Sequence, residues 1–157
     1  MRLGLQATLI EANAGTFEPE ELFDAALLDA PCSSTGTVRR HPDIPWTKTA
    51  ADIEKLATVQ KKLLLHALDV VNPGGIVVFS NCSLDPLEGE AMVTSVLSER
   101  RDLELVPIDP SSVPGFEAFV TKRGEIRTTP AMLKRDNPAE SGLDGFYACK
   151  IRRIAGV

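Results

Sequence analysis

The feature that most restricts the fold lies in residues 23 to 82. Two short apolar runs, FDAALL and GGIVVFS, flank one long stretch of helical periodicity. Thr49 followed by Asp52 has the form of a capping box, and Ile53, Leu56, Ala57, Leu63, Leu64, Ala67, Leu68 and Val71 then recur at helical spacing. The helix is expected to end at Asn72-Pro73-Gly74, since proline lacks the N–H that would continue it. Neither apolar run alternates with polar residues, as expected of strands covered on both faces. Strand, helix and strand in this order make a βαβ unit, so the expected fold is α/β with a parallel, doubly wound sheet.

The remaining chain extends this pattern. Asp85, Pro86 and Glu88 read as an N-cap, a proline at the first helical position and an acidic first turn, opening a helix to about Arg100. LELVPI at 103 to 108 is a third strand, and GEIRTTP and DGFYACKIRR form a terminal pair around a loop at Lys134 to Gly142. With 43% hydrophobic residues, residues 1 to 157 are expected to form a single domain. The apolar runs fall far short of the roughly 20 residues needed to cross a bilayer, and MRLGLQATLI lacks a signal-peptide core. Three cysteines give no disulfide framework. A cytoplasmic location, free thiols and no membrane partner are expected. A net charge of -5 disfavours general attraction to a polyanion, so any nucleic-acid contact must be local, at clusters such as Arg39, Arg40 and Lys48.

In open sheets of this class, ligands bind beyond the carboxyl ends of the strands. Asp29, Cys32 and Cys82 all fall there. Arg39 follows Cys32 one position too late for a phosphatase loop, and Cys32, Cys82, Cys149, His41 and His66 show no paired spacing for zinc, so no metal site is expected. Cys149, within a strand, reads as a small buried hydrophobe; His66, within the long helix, reads as a surface or packing residue. Cys32 and Cys82 each leave a strand for a turn of small polar residues, where a thiol can be exposed and activated. From the residues alone, a reactive role and a packing role stay open for both.

DAPCSSTGTVRRHPDIPW, LATVQKKLLLHAL, NPGGIVVFSNCSLDPLEGE, RTTP and DGFYACKIRR, in this order and spacing, resemble the carboxyl-terminal half of the RNA cytosine-C5 methyltransferases. The bacterial branch acting on 16S ribosomal RNA is the nearest match. The resemblance implies a Rossmann-like fold dependent on S-adenosylmethionine, with ribosomal RNA as partner. It also implies Cys82 as nucleophile, Cys32 as the thiol aiding product release, and Asp29 as the carboxylate at the cytosine edge and near the cofactor. Pro31, Arg39 and Arg40 would contact the substrate, and Asn13 stands where an aspartate normally meets the cofactor's adenine. Asn81 and Ser34 replace the Thr and Gly usual at their positions.

The glycine-rich loop and ribose-binding acid of the cofactor half have no counterpart before residue 20. The fold is therefore expected to be incomplete on its amino-terminal side, with its first strands missing and QATLIEA as a strand without its usual neighbours. The edge at residues 23 to 28 would be open, inviting a homodimer joined through it. Two rivals follow: a non-catalytic binding or assembly module that keeps the fold, and an amino-group methyltransferase, which Cys32 at the usual aromatic position of the DAPC motif disfavours.

Overall fold

The computed structural model describes residue 4 and residues 6–156. In chain order it contains strand β1 (Phe23–Asp29), helices α1 (Ile44–Thr47) and α2 (Ala50–Asp69), strand β2 (Val71–Asn81), helix α3 (Glu90–Glu99), and strands β3 (Leu103–Val106), β4 (Ile126–Thr128) and β5 (Phe146–Arg153). The sheet order is β1-β2-β5-β3, with β4 also on β5. β1 and β2 are parallel. β5 runs antiparallel to β2, β3 and β4, so the sheet is mixed rather than all parallel. The two terminal strands expected from sequence exist, but β5 inserts between β2 and β3.

Register and alternation explain the core. Val77 pairs with Ile151 and Phe79 with Cys149 across β2 and β5, placing these side chains on one face. Ala26 and Leu28 of β1 lie beside Val77 and Phe79 on that same face. Leu64 and Leu68 of α2 and Met92, Val93 and Val96 of α3 cover it, with Tyr147 packed edge-on against Phe79. Cys149 is fully buried here, as a small apolar residue would be. The other face of β1 is open. Leu27, paired there with Val78, is 75% exposed, so β1 is not covered on both faces as its unbroken apolar run suggested.

α2 begins as expected. Thr49 Oγ1 accepts from the Asp52 N–H, and Asp52 Oδ2 accepts in return from the Thr49 N–H. It stops earlier than Asn72-Pro73-Gly74, because the Val70 carbonyl accepts from the Phe23 N–H and draws the chain into β2. Asn72 to Gly75 then form an irregularity opposite Asp24, with Gly74 at φ +89°. The helix expected from Asp85 is split. Asp85 caps a single 3-10 turn, Pro86–Glu88, and α3 starts only after Gly89, where a Cβ would lie 2.6 Å from an Arg127 guanidinium nitrogen and 3.2 Å from the Tyr147 ring. Residues 6–12 (QATLIEA) form no strand and lie exposed. The segment is tethered farther on, where His66 of α2 bonds the Phe17 carbonyl, a packing role for that histidine.

Candidate active site

β1 and β2 are parallel neighbours, so Asp29 and Ser80, paired in register, end their strands side by side. The ladder continues one step, from the Ala30 N–H to the Ser80 carbonyl, before the two chains diverge into loops. Those loops bring Cys32 and Cys82 together with their sulfurs 3.4 Å apart. Ser34 Oγ completes a triangle, 3.5 Å from the Cys82 sulfur and 3.9 Å from that of Cys32.

The two loops are cross-linked by backbone and hydroxyl groups. The Gly36 N–H donates to the Cys82 carbonyl, the Gly145 N–H to the Gly36 carbonyl, and the Leu84 N–H to Thr35 Oγ1. The crossing is so close that a Cβ on Gly36 would lie 2.1 Å from the Gly145 carbonyl oxygen and 2.6 Å from that of Cys82. Asn81 locks the turn after the second strand: its amide donates to the Glu88 carbonyl while its oxygen accepts from the Ser83 N–H. The residue that stands in the usual threonine position thus shapes the Cys82 turn.

Beneath the thiols lies a carboxylate that sequence reading took for a helix-start residue. Glu88 is fully buried. Its Oε1 accepts from the Ser33 N–H at 2.9 Å and from Gln60 Nε2 at 2.8 Å, and its Oε2 from the Ser83 hydroxyl at 2.6 Å and from the Ser33 hydroxyl. Ser33 and Ser83 each follow one of the two cysteines, so a single side chain fixes both loops. Gln60 also donates to the Pro31 carbonyl. The available signal was Gln60 itself, a polar residue on the helix stripe it shares with Leu64 and Leu68.

Burial pushes the Cys32 thiol up to about 11; a hydrogen bond from the Ser34 backbone opposes this, and the neighbouring Cys82 adds to it. Cys32 is therefore an uncharged S–H at neutral pH. Asp29 is exposed and accepts from the Ser80 hydroxyl through Oδ1 alone, leaving Oδ2 without a partner among the described residues. The exposed Arg40 is paired with Asp144 through Nε and Nη2, and this guanidinium holds the Asp144 carboxyl below its usual range. Arg39 is exposed and makes no hydrogen bond or ion pair among the described residues. Trp46, on the short α1 that follows, is 89% exposed.

Asn13 lies exposed in a turn, its oxygen accepting from the Gly15 N–H. On either side of it, Ala12 and Ala14 line an apolar groove of about 370 Å³ along the β1 edge, with Ile10, Leu27 and Leu63. This apolar groove has room for the flat face of an adenine, but Asn13 itself does not line it. No described carboxylate or lysine lines the groove to hold a ribose or an amino-acid group. The described residues thus fit only part of S-adenosylmethionine.

The mixed sheet with helices on its core face is shared with a solved methyltransferase homolog, which makes the fold Rossmann-like and of the methyltransferase type. The family described as 16S rRNA methyltransferase RsmB/F matches residues 1–152, and the chain belongs to that family. It is 40% identical over 154 residues to ribosomal RNA small subunit methyltransferase B of Shewanella oneidensis, covering 96% of this chain and 32% of that protein. It is 37% identical over 163 residues to the 26S rRNA (cytosine-C(5))-methyltransferase nsun-1 of Caenorhabditis elegans, covering 98% of this chain and 24% of that one. A crystal structure of a methyltransferase homolog from Pyrococcus horikoshii matches with a TM-score of 0.60 at 30% identity, over 85% of this chain and 40% of that one. The chain spans about a quarter to a third of the length of these curated relatives.

Proposed function

We propose that this chain carries the base-handling part of an S-adenosylmethionine-dependent methyltransferase acting on C5 of cytosine in 16S ribosomal RNA. The observation that carries the reading is the pair of sulfurs 3.4 Å apart at the ends of β1 and β2. C5 of cytosine is a weak nucleophile. Addition of the Cys82 thiolate to C6 moves electron density onto C5, which is covalent catalysis. Bound S-adenosylmethionine supplies the methyl group that C5 takes. C5 then gives its proton to solvent water, the C5–H pair forms the C5=C6 double bond, and the C6–S bond breaks with its electron pair returning to the Cys82 sulfur.

The neighbouring groups suit these steps. The uncharged Cys32 thiol donates a hydrogen bond to the departing Cys82 sulfur, easing product release. The free oxygen of Asp29 meets the polar edge of the cytosine and favours addition at C6. The cytosine must be turned out of any helix to reach the thiols, and the unpaired Arg39 is suited to a phosphate of the displaced strand. Arg40, tied to Asp144, orients the loop. The open edge of β1 is the surface through which two copies would pair; a solution mass of 17.0 kDa at high concentration would exclude that dimer.

The test is covalent trapping with a 16S ribosomal RNA fragment, read on a denaturing gel. Cys32→Ala is expected to accumulate a protein–RNA adduct and Cys82→Ala to form none; an adduct from Cys82→Ala would overturn the assignment. The groove's lack of a carboxylate or lysine for the ribose and methionine ends favours a second reading, a binding or assembly module without turnover. Calorimetric titration with S-adenosylmethionine separates the two, because saturable one-to-one binding removes the non-catalytic reading.

A further inference from the structure

Ser34 has φ +59° and ψ +21°, the left-handed region that residues carrying a Cβ disfavour. Leu133 is the only other non-glycine residue with positive φ among the described residues. The turn uses only the Ser34 backbone. Its carbonyl accepts from both the N–H and the hydroxyl of Thr37, each at 2.9 Å. Glycine would make the same turn without the steric conflict. The serine side chain is left with two partners, the sulfurs of Cys82 and Cys32. Backbone strain held at such a position points to a role for the side chain that imposes it.

We propose that Ser34 is a positioning residue that holds the Cys82 sulfur and hydrogen-bonds its thiolate. This rests on the reading of Cys82 as nucleophile. A hydroxyl carries one donor hydrogen and two acceptor lone pairs. Facing the Cys82 thiol, it accepts from S–H, as the geometry shows. Once that proton has left, the hydroxyl turns and donates to the thiolate, and the single Cys32 S–H, 3.4 Å away, is free to donate to the thiolate as well. Negative charge on Cys82, before attack and after expulsion, therefore meets two donors, Ser34 and Cys32.

The test needs neither RNA nor cofactor. Alkylation by iodoacetamide, in which the thiolate displaces iodide, is followed at each cysteine by mass spectrometry across pH in the parent, Ser34→Gly and Ser34→Ala. In both variants the Cys82 rate at neutral pH is expected to fall roughly three- to tenfold, the loss of one hydrogen bond, and its rate profile to move to higher pH. Ser34→Gly should melt no lower than the parent, because glycine relieves the strain, so a lower rate there cannot come from a damaged fold. An unchanged Cys82 rate and pH profile in both variants would overturn the proposal. RNA trapping by Cys82→Ala would overturn the nucleophile assignment alone and leave the alkylation result standing, so the two failures are distinguishable.

Discussion

Replacing Glu88 tests whether one buried carboxylate holds the two cysteine loops together. In Glu88→Ala four accepted hydrogen bonds are lost. The Ser33 and Ser83 hydroxyls, 3.3 Å apart, can pair with each other, but the Ser33 N–H and one Gln60 N–H are left buried without acceptors. At about 1–3 kcal/mol for each unsatisfied buried donor, the loss is about 2–6 kcal/mol. That is a large share of the roughly 5–15 kcal/mol that holds a domain folded. Glu88→Gln is different. Its oxygen can face the two N–H donors while its amide donates to the two hydroxyls, which rotate to accept, so the expected cost is at most about 1.5 kcal/mol. Urea unfolding followed by far-ultraviolet circular dichroism measures both. A Glu88→Gln variant as unstable as Glu88→Ala would refute the hydrogen-bond accounting.

Three further outcomes follow from particular contacts. Gly36→Ala should not give a natively folded chain, because its Cβ would meet the Gly145 and Cys82 carbonyl oxygens with no flexible side chain to yield; a cooperative melt near that of the parent would contradict the crossing. Thr49→Ala removes one half of the capping box and should cost about 1 kcal/mol in urea unfolding, whereas Thr49→Ser should cost much less. Burial pushes the Cys149 thiol up to about 12, so the folded chain keeps this proton where the unfolded chain loses it. The stabilisation is full below about pH 8.5, the unfolded value, and is lost as pH rises through about 12. Cys149→Ser should flatten the alkaline fall in melting temperature, and an unaltered fall would contradict the buried-thiol account.

What was legible in the sequence follows from local rules. The Ile76 to Phe79 run, the α2 periodicity and its capping box depend on neighbours close in the chain, and each stands where expected except at the helix end, where Val71 belongs to β2. The meeting of Cys32 and Cys82 followed from strand ends in a βα sheet, a consequence of topology rather than of the residues around each thiol. What escaped depends on partners distant in sequence. The antiparallel insertion of β5 leaves no mark on its own pattern. Leu27 looks as apolar as Leu28, yet alternation places them on opposite faces and only one is covered. Glu88 carries the signature of a helix start, and the break at Gly89 turns it inward instead. The Arg40 pairing with Asp144 spans 104 residues of chain, beyond any spacing rule.

The central claim is that Cys82 attacks C6 while Cys32 does not. The most direct measurement incubates the chain with 16S ribosomal RNA carrying 5-azacytidine, in which nitrogen replaces C5, so the adduct cannot resolve by losing a C5 proton. Digestion and mass spectrometry then locate the nucleotide on the protein. The account predicts attachment at Cys82, retained in Cys32→Ala. Attachment at Cys32, or no attachment at either cysteine while the RNA is bound, would contradict it.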